Sequence, residues 1–228
     1  MKAKTVYKAR LFRPVFRRNE RVQFSKKICS LLLQGHDVIF ADETSTSLWG
    51  DSRIKKTWMH IDKAIPLSVN TTRGSNMTIM GAVGNCLPEL VFKVYEKTEA
   101  KTFRNFLIYL KGQVQQQYRR SKPTLVLDNL ACHKSESVAK HYDAFHVLFL
   151  PAYSSQMNSQ ETVWSVLKKM LSKYFARLPI DIKRGAGFKS EFKSHIETVL
   201  SQMRSEYSPD DFMLAIRRDL EEHLNDCL

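Results

Sequence analysis

Two apolar runs in this chain each end in an aspartate, and that pattern constrains the fold more than any other feature. Leu125, Val126 and Leu127 lead into Asp128 and Asn129, and Val38, Ile39, Phe40 and Ala41 lead into Asp42 and Glu43. Continuous strand-type runs of this kind belong to strands covered on both faces, so each places a carboxylate at the open end of a sheet. A third acid, Glu161, opens a stretch in which Val163, Trp164, Leu167, Met170 and Leu171 recur at helical spacing.

The order of elements narrows the architecture. A helix is predicted over 19–34, with Gly35 as its stop. A strand over 37–42 follows, then a short return strand over 46–49 turned by Gly50 and Asp51. Two β-rich runs, 77–83 and 89–95, flank Gly84, Asn85 and Pro88 and read as a hairpin. Helix 100–120, strand 124–127, helix 135–142, strand 145–150 and helix 159–175 complete the pattern, with two more helices over 188–207 and 209–225. A helix between two strands implies that they pair in parallel. The expected fold class is therefore α/β: a mixed five-stranded sheet, antiparallel meander plus parallel strands, flanked by helices.

Charge separates the chain into parts. The balance of 36 Lys and Arg against 23 Asp and Glu gives +13, which favours polyanionic partners. Residues 1–27 hold ten basic side chains against Glu20 alone, whereas residues 206–228 hold seven acids against two arginines. We read 1–35 as a basic arm and linker helix, 36–178 as the main domain, 51–76 as a protruding basic loop, and 179–228 as helices packed on that domain. The four cysteines show no Cys-x-x-Cys pair, so spacing indicates neither a zinc module nor a disulfide framework. No apolar run approaches a membrane span, and a soluble intracellular chain is expected.

Each acid taken alone has an ordinary structural use. Asp42 can cap a turn, Asp128 can open an Asx-turn, and Asn158 with Glu161 has capping-box spacing. Their convergence is what carries chemistry. Neighbouring strands one and four, crossed by the Glu161 helix, would gather three carboxylates, and such a cluster repels itself unless a divalent cation fills it. Opening a phosphodiester with two hard ions needs such oxygen ligands.

The residues also resemble a known family. VIFADETSTSLWG, RGSNMTIMGAVG, LVLDNLACHKS and PAYSSQMNSQETVW are similar, in order, to the signature blocks of the mariner superfamily of DDE transposases. ARLFRPVFRRNERVQFSKK resembles the segment that joins the DNA-binding region of those enzymes to their catalytic domain. The resemblance covers about residues 9–175 and implies a ribonuclease H-like, retroviral integrase-like fold. It makes Asp42, Asp128 and Glu161 the catalytic, metal-holding acids, with 32 residues between the last two, and places residues 51–76 at a clamp-like loop. The chain departs from the family at Ser155 and Ser159, where prolines are usual, and at Gln156, where an acid is usual.

The resemblance implies a DDE transposase catalytic domain. It would cleave transposon ends and transfer strands into target DNA with two Mg²⁺ ions, for which Mn²⁺ can substitute. Double-stranded DNA, comprising terminal inverted repeats and target, would be the partner, with a homodimer in the complex and the nucleus as the compartment. Arg10, Arg13, Arg17, Arg18, Arg21, Lys55, Lys56, His133, Lys134 and Lys168 are the expected DNA contacts. The alternative, motivated by the two serines, is a domesticated or inactive relative that binds DNA without cutting it.

Overall fold

The computed structural model describes residues 18–47, 76–115, 122–177 and 188–213. Helix α1 (Arg18–Leu33) runs to Gly35, whose φ of 73° is the left-handed conformation that ends a helix cheaply only at glycine. Strands β1 (Val38–Ser47), β2 (Asn76–Gly84) and β3 (Val91–Tyr95) form the antiparallel meander. Helix α2 (Ala100–Gln115) crosses to β4 (Thr124–Leu127), and a 3-10 turn (Ala131–Lys134) and short helix α3 (Glu136–Ala139) lead to β5 (His146–Phe149). Helices α4 (Gln160–Ala176) and α5 (Phe188–Glu206) follow. The chain is helical again at 209–213. Among the described residues no helix is long and apolar enough to cross a membrane.

The sheet order is β3-β2-β1-β4-β5, with β1, β4 and β5 parallel. Its central strands are buried on both faces, as their continuous apolar runs require. Phe40, Ile79 and Val126 point to the side covered by α1, α4 and α5, where Trp164, Leu167, Phe192 and Ile196 meet them. Ile39, Met80, Leu125 and Leu127 point to the other side, against Phe103, Phe106 and Leu110 of α2. Two apolar layers around one sheet make the α/β architecture expected from the sequence.

Two expectations are corrected. Residues 46 and 47 do not form a return strand; β1 continues straight through to Ser47, still paired with β2. Thr44 and Thr46 are β-branched and no Gly, Pro, Asn or Asp interrupts 43–46, so nothing forces the strand to turn. Helix α4 lies over β1 and β2, rather than across β1 and β4. The reason is Gly81, which faces Asp42 across the β1–β2 ladder and has no side chain to hold α4 away. The predicted loop at 51–76 falls almost wholly outside the described residues, as do the last five residues of the helix predicted over 100–120.

A Cβ at Gly81 would come within 2.5 Å of Trp164 Cη2 and 2.6 Å of Gln160 Nε2. Both are buried, so neither neighbour can swing into solvent. Gly81→Ala is expected to destabilise the fold by about 1–3 kcal/mol, the usual cost of overpacking. Gly112→Ala, in α2 with open space around it, should instead stabilise by about 0.5–1 kcal/mol. Urea denaturation of the two variants checks the contrast in sign.

Candidate active site

The register of the sheet brings Asp42, inside β1, and Asp128, just past the end of β4, to one level. Phe40 pairs with Val126 in the parallel β1–β4 ladder, so Asp42 lies two residues beyond it and Asp128 likewise. Alternation puts Asp42 on the same face as Phe40, toward α4. Neighbouring strands are about 4.8 Å apart, which makes the two residues neighbours along the backbone, with the Asp128 carboxyl turned to His133.

Asp42 is half-buried, and its Oδ2 accepts a 3.1 Å hydrogen bond from Trp164 Nε1. Burial is the largest influence on its carboxyl, and the charges of Glu43 and Glu161 act in the same direction. The Glu43 backbone N–H and Trp164 oppose them, and the balance pushes the pKa up to about 7. Glu161, in the first turn of α4, is thus close enough for Asp42 to feel its charge.

Asp128 forms the Asx-turn that its sequence permits, with Leu130 N donating to Oδ1 at 3.1 Å. The same oxygen lies 2.8 Å from His133 Nδ1. Burial would raise this carboxyl, but the His133 contact, the Leu130 N–H and the charge of Lys134 outweigh it and hold it below the usual range. Asp42 and Asp128 are therefore unlike acids: one resists ionisation and the other is ionised readily.

The start of α4 is anchored by Asn158 rather than by a capping box. Its Oδ1 accepts from Gln160 N at 3.1 Å, its Nδ2 donates to Ala41 O at 3.3 Å, and its own N–H is taken by Ser155 O. That leaves Glu161 exposed and not bound back onto Asn158 N. Serines at 155 and 159 do not unseat the helix, because Asn158 fixes it to β1 beside Asp42.

The expected DNA contacts divide. Arg18, Lys134 and Lys168 are exposed and Arg21 is half-buried. Lys134 Nζ donates to Asn129 Oδ1 at 2.5 Å and stands over the Phe149 ring, 4.9 Å from its centroid. It borders a cavity lined by Lys27, Asn129, Leu150 and Ala152. Arg10, Arg13, Arg17, Lys55 and Lys56 lie outside the described residues. The reading of His133 as a DNA contact is corrected. The ring is 1% exposed and lies against Phe103, 4.0 Å between centroids. Nδ1 faces Asp128, and Nε2 lies 3.4 Å from Glu43 Oε2. Burial disfavours a charged ring, yet Asp128 and Glu43 more than offset it and push its pKa up to about 10.

Trp164 is a core residue, as its place on the apolar stripe of its helix predicts, and it also reaches Asp42, a second role that the sequence reading did not include. The available signal was its position three residues after Glu161, one helical turn along the same face.

Three carboxyl-bearing side chains suit hard divalent ions, and Asp42, raised by burial and by the negative charges of Glu43 and Glu161, is a carboxyl that a nearby cation would return to its ionised form. The oxygens of Asp42, Asp128 and Glu161 are not all within 4.8 Å of one another; among the described residues the one group that meets this limit is Glu43, Cys132 and His133. Two ions about 3.5–4 Å apart need donors spread more widely than a single ion does.

Without metal, Asp42 should make stability depend on pH. Its folded pKa of about 7 lies above the ordinary aspartate value of 3.8, so the native state holds the proton more tightly than the unfolded chain. Stability then falls as pH rises from about 4 to 7. Asp42→Asn, which keeps an acceptor for Trp164, should remove this slope and gain on the order of 1–3 kcal/mol at pH 8. Thermal melts in chelator at pH 4.5 and pH 8 measure both.

Sheet order, strand directions and flanking helices define a ribonuclease H-like domain. The profile of the DDE superfamily endonucleases matches residues 37–180, and the chain belongs to that family. Sequence comparison with curated proteins gave no match. Among solved structures, the catalytic domain of Mos1 mariner transposase superposes with a TM-score of 0.61 at 12% identity, covering 93% of this chain and 94% of that one. The Mos1 paired-end complex with Mg gives 0.70 at 14%, covering 100% and 66%. The Mos1 strand transfer complex gives 0.64 at 15%, covering 92% and 62%. The chain thus spans about two thirds of the transposase in those complexes.

Proposed function

We propose that this chain is the catalytic part of a DDE transposase, cleaving DNA at transposon ends and joining the freed strand to target DNA. The observation that carries the reading is the level placement of Asp42 and Asp128 by the β1–β4 register, with Glu161 close enough to bias Asp42. Asp42, Asp128 and Glu161 would hold two Mg²⁺ or Mn²⁺ ions. Bound there, such ions make an attacking water or 3′-hydroxyl more acidic and stabilise the leaving oxygen.

The chain's own groups prepare that site. Trp164 fixes the rotamer of Asp42 through its indole N–H, and the Asx-turn and His133 fix Asp128 through Oδ1. Asn158 ties the helix bearing Glu161 to β1. Lys134 and Arg18 offer positive charge to the phosphates of bound DNA, and the arm before residue 18 adds more of the same sign. The Mos1 structures include a paired-end complex with the left transposon end and paired-end complexes with Mg and with Mn, which supports double-stranded DNA and a hard divalent ion here. A homodimer on DNA belongs to the same proposal.

The test is incubation of the chain with end-labelled duplex carrying the terminal repeats of its own element, in Mg²⁺ or Mn²⁺. Metal-dependent nicks at the repeat boundary, followed by joined products with target DNA, are expected. Tight DNA binding with no cleavage in either metal would favour the domesticated relative, the reading that Ser155 and Ser159 motivate.

A further inference from the structure

On the α2 side of the sheet, Glu43, Cys132 and His133 offer a carboxylate oxygen, a sulfur and a ring nitrogen that all lie within 4.8 Å of one another. The donors come from β1 and from the 3-10 turn after Asp128, segments far apart in sequence. This is why cysteine spacing gave no hint of them. His133 is 1% exposed and the Glu43 side chain 11%, so these two donors are sheltered from water, while Cys132 is half-buried. Glu43 Oε1 is buried without a hydrogen-bond donor, and Glu43 Oε2 and the two His133 nitrogens have only the charged contacts with each other and with Asp128. Buried polar atoms left in that state cost stability unless something else satisfies them.

We propose that Glu43, Cys132 and His133 form a binding site for a borderline-soft divalent ion, Zn²⁺ above all, distinct from the hard-ion site of Asp42, Asp128 and Glu161. One sulfur, one nitrogen and one oxygen is a donor set that zinc accepts and Mg²⁺ does not. Zinc bonds such donors at about 2.0–2.3 Å, so two donors on one ion stand at most about 4.6 Å apart. At tetrahedral angles the donors stand about 3.3–3.8 Å apart; His133 Nε2 and Glu43 Oε2 already meet this at 3.4 Å, and Cys132 Sγ, within 4.8 Å of its partners, would have to move inward. The ring is also oriented for the task. Nε2 faces Glu43 at 3.4 Å, while Nδ1 lies 2.8 Å from Asp128 Oδ1, the carboxylate–histidine–metal arrangement that fixes the tautomer of zinc-ligating imidazoles. Bound there, the ion would stand as the positive charge beside Glu43. Asp128 would then be held through His133 by a metal ion as well as by its Asx-turn.

Titration of the full chain with Co²⁺, in excess Mg²⁺ to occupy hard sites, tests this without reference to DNA cleavage. A thiolate-to-cobalt charge-transfer band should rise, saturate at one ion per chain, and vanish when Zn²⁺ is added. Cys132→Ser, at a half-exposed position where serine is tolerated, should lose the band with its circular dichroism unchanged. Glu43→Gln should keep the band at saturation but weaken Co²⁺ binding at least tenfold. Absence of the band in the folded wild-type chain overturns the site, as does its persistence in Cys132→Ser or an unchanged affinity in Glu43→Gln.

Discussion

Asp128→Asn and Glu161→Gln are each expected to lower DNA cleavage by about 10³-fold while leaving the fold intact. A metal-held carboxylate contributes several kcal/mol to the transition state of a phosphodiester displacement, and each 1.36 kcal/mol is tenfold in rate. Stability should barely move for Glu161→Gln, because Glu161 is exposed at the start of α4 and such substitutions fall within about 0.5 kcal/mol. Asn at 128 retains an oxygen for the Leu130 N–H, so the Asx-turn persists. Cleavage assays with melting curves on the same samples separate lost chemistry from lost structure. Either variant cutting at the wild-type rate would remove that residue from the site.

Trp164 gives the second large effect, and two substitutions divide it. The side chain is 2% exposed, packs over Gly81 and meets Phe92 at 6.0 Å between centroids. Trp164→Ala empties that space and should cost about 3–5 kcal/mol. Trp164→Phe keeps most of the packing but removes the donor to Asp42 Oδ2. Because that hydrogen bond lowers the Asp42 pKa, its loss should raise the carboxyl further and shift metal activation to higher pH. Activity at pH 7 should fall about 10–100-fold, the range for groups that orient a metal ligand. A pH profile that is lowered but not shifted would show that Trp164 acts through packing alone.

Much of this was legible in the sequence because the signals were local. β4 was read with its observed bounds: Thr124 to Leu127 is apolar and β-prone, and Pro123 and Asp128 close it at both ends. Gly35 marked the end of α1 for the same kind of reason. β1 was cut short because an acid pair inside a strand imitates a strand end. Only the long antiparallel ladder to Asn76 shows that the chain continues.

The site was legible as a set of acids but not as a geometry. His133 sits in a stretch that begins like a phosphate-facing turn, yet Phe103 comes from α2, some thirty residues upstream, and closes over it. Nothing near residue 133 carries that information. Gly81 and Trp164 are likewise meaningful only together: the glycine lets α4 approach, and the approach puts an indole N–H on Asp42. Such pairings are set by tertiary packing, which periodicity and motif spacing do not encode.

Joint action of Asp42, Asp128 and Glu161 on one pair of hard ions is tested most directly by anomalous scattering from crystals of the full chain soaked in Mn²⁺. Two Mn²⁺ peaks about 3.5–4 Å apart, bound by oxygens of all three side chains, are the predicted result. A well-ordered α4 with Glu161 turned away and no Mn²⁺ between Asp42 and Asp128 would contradict it.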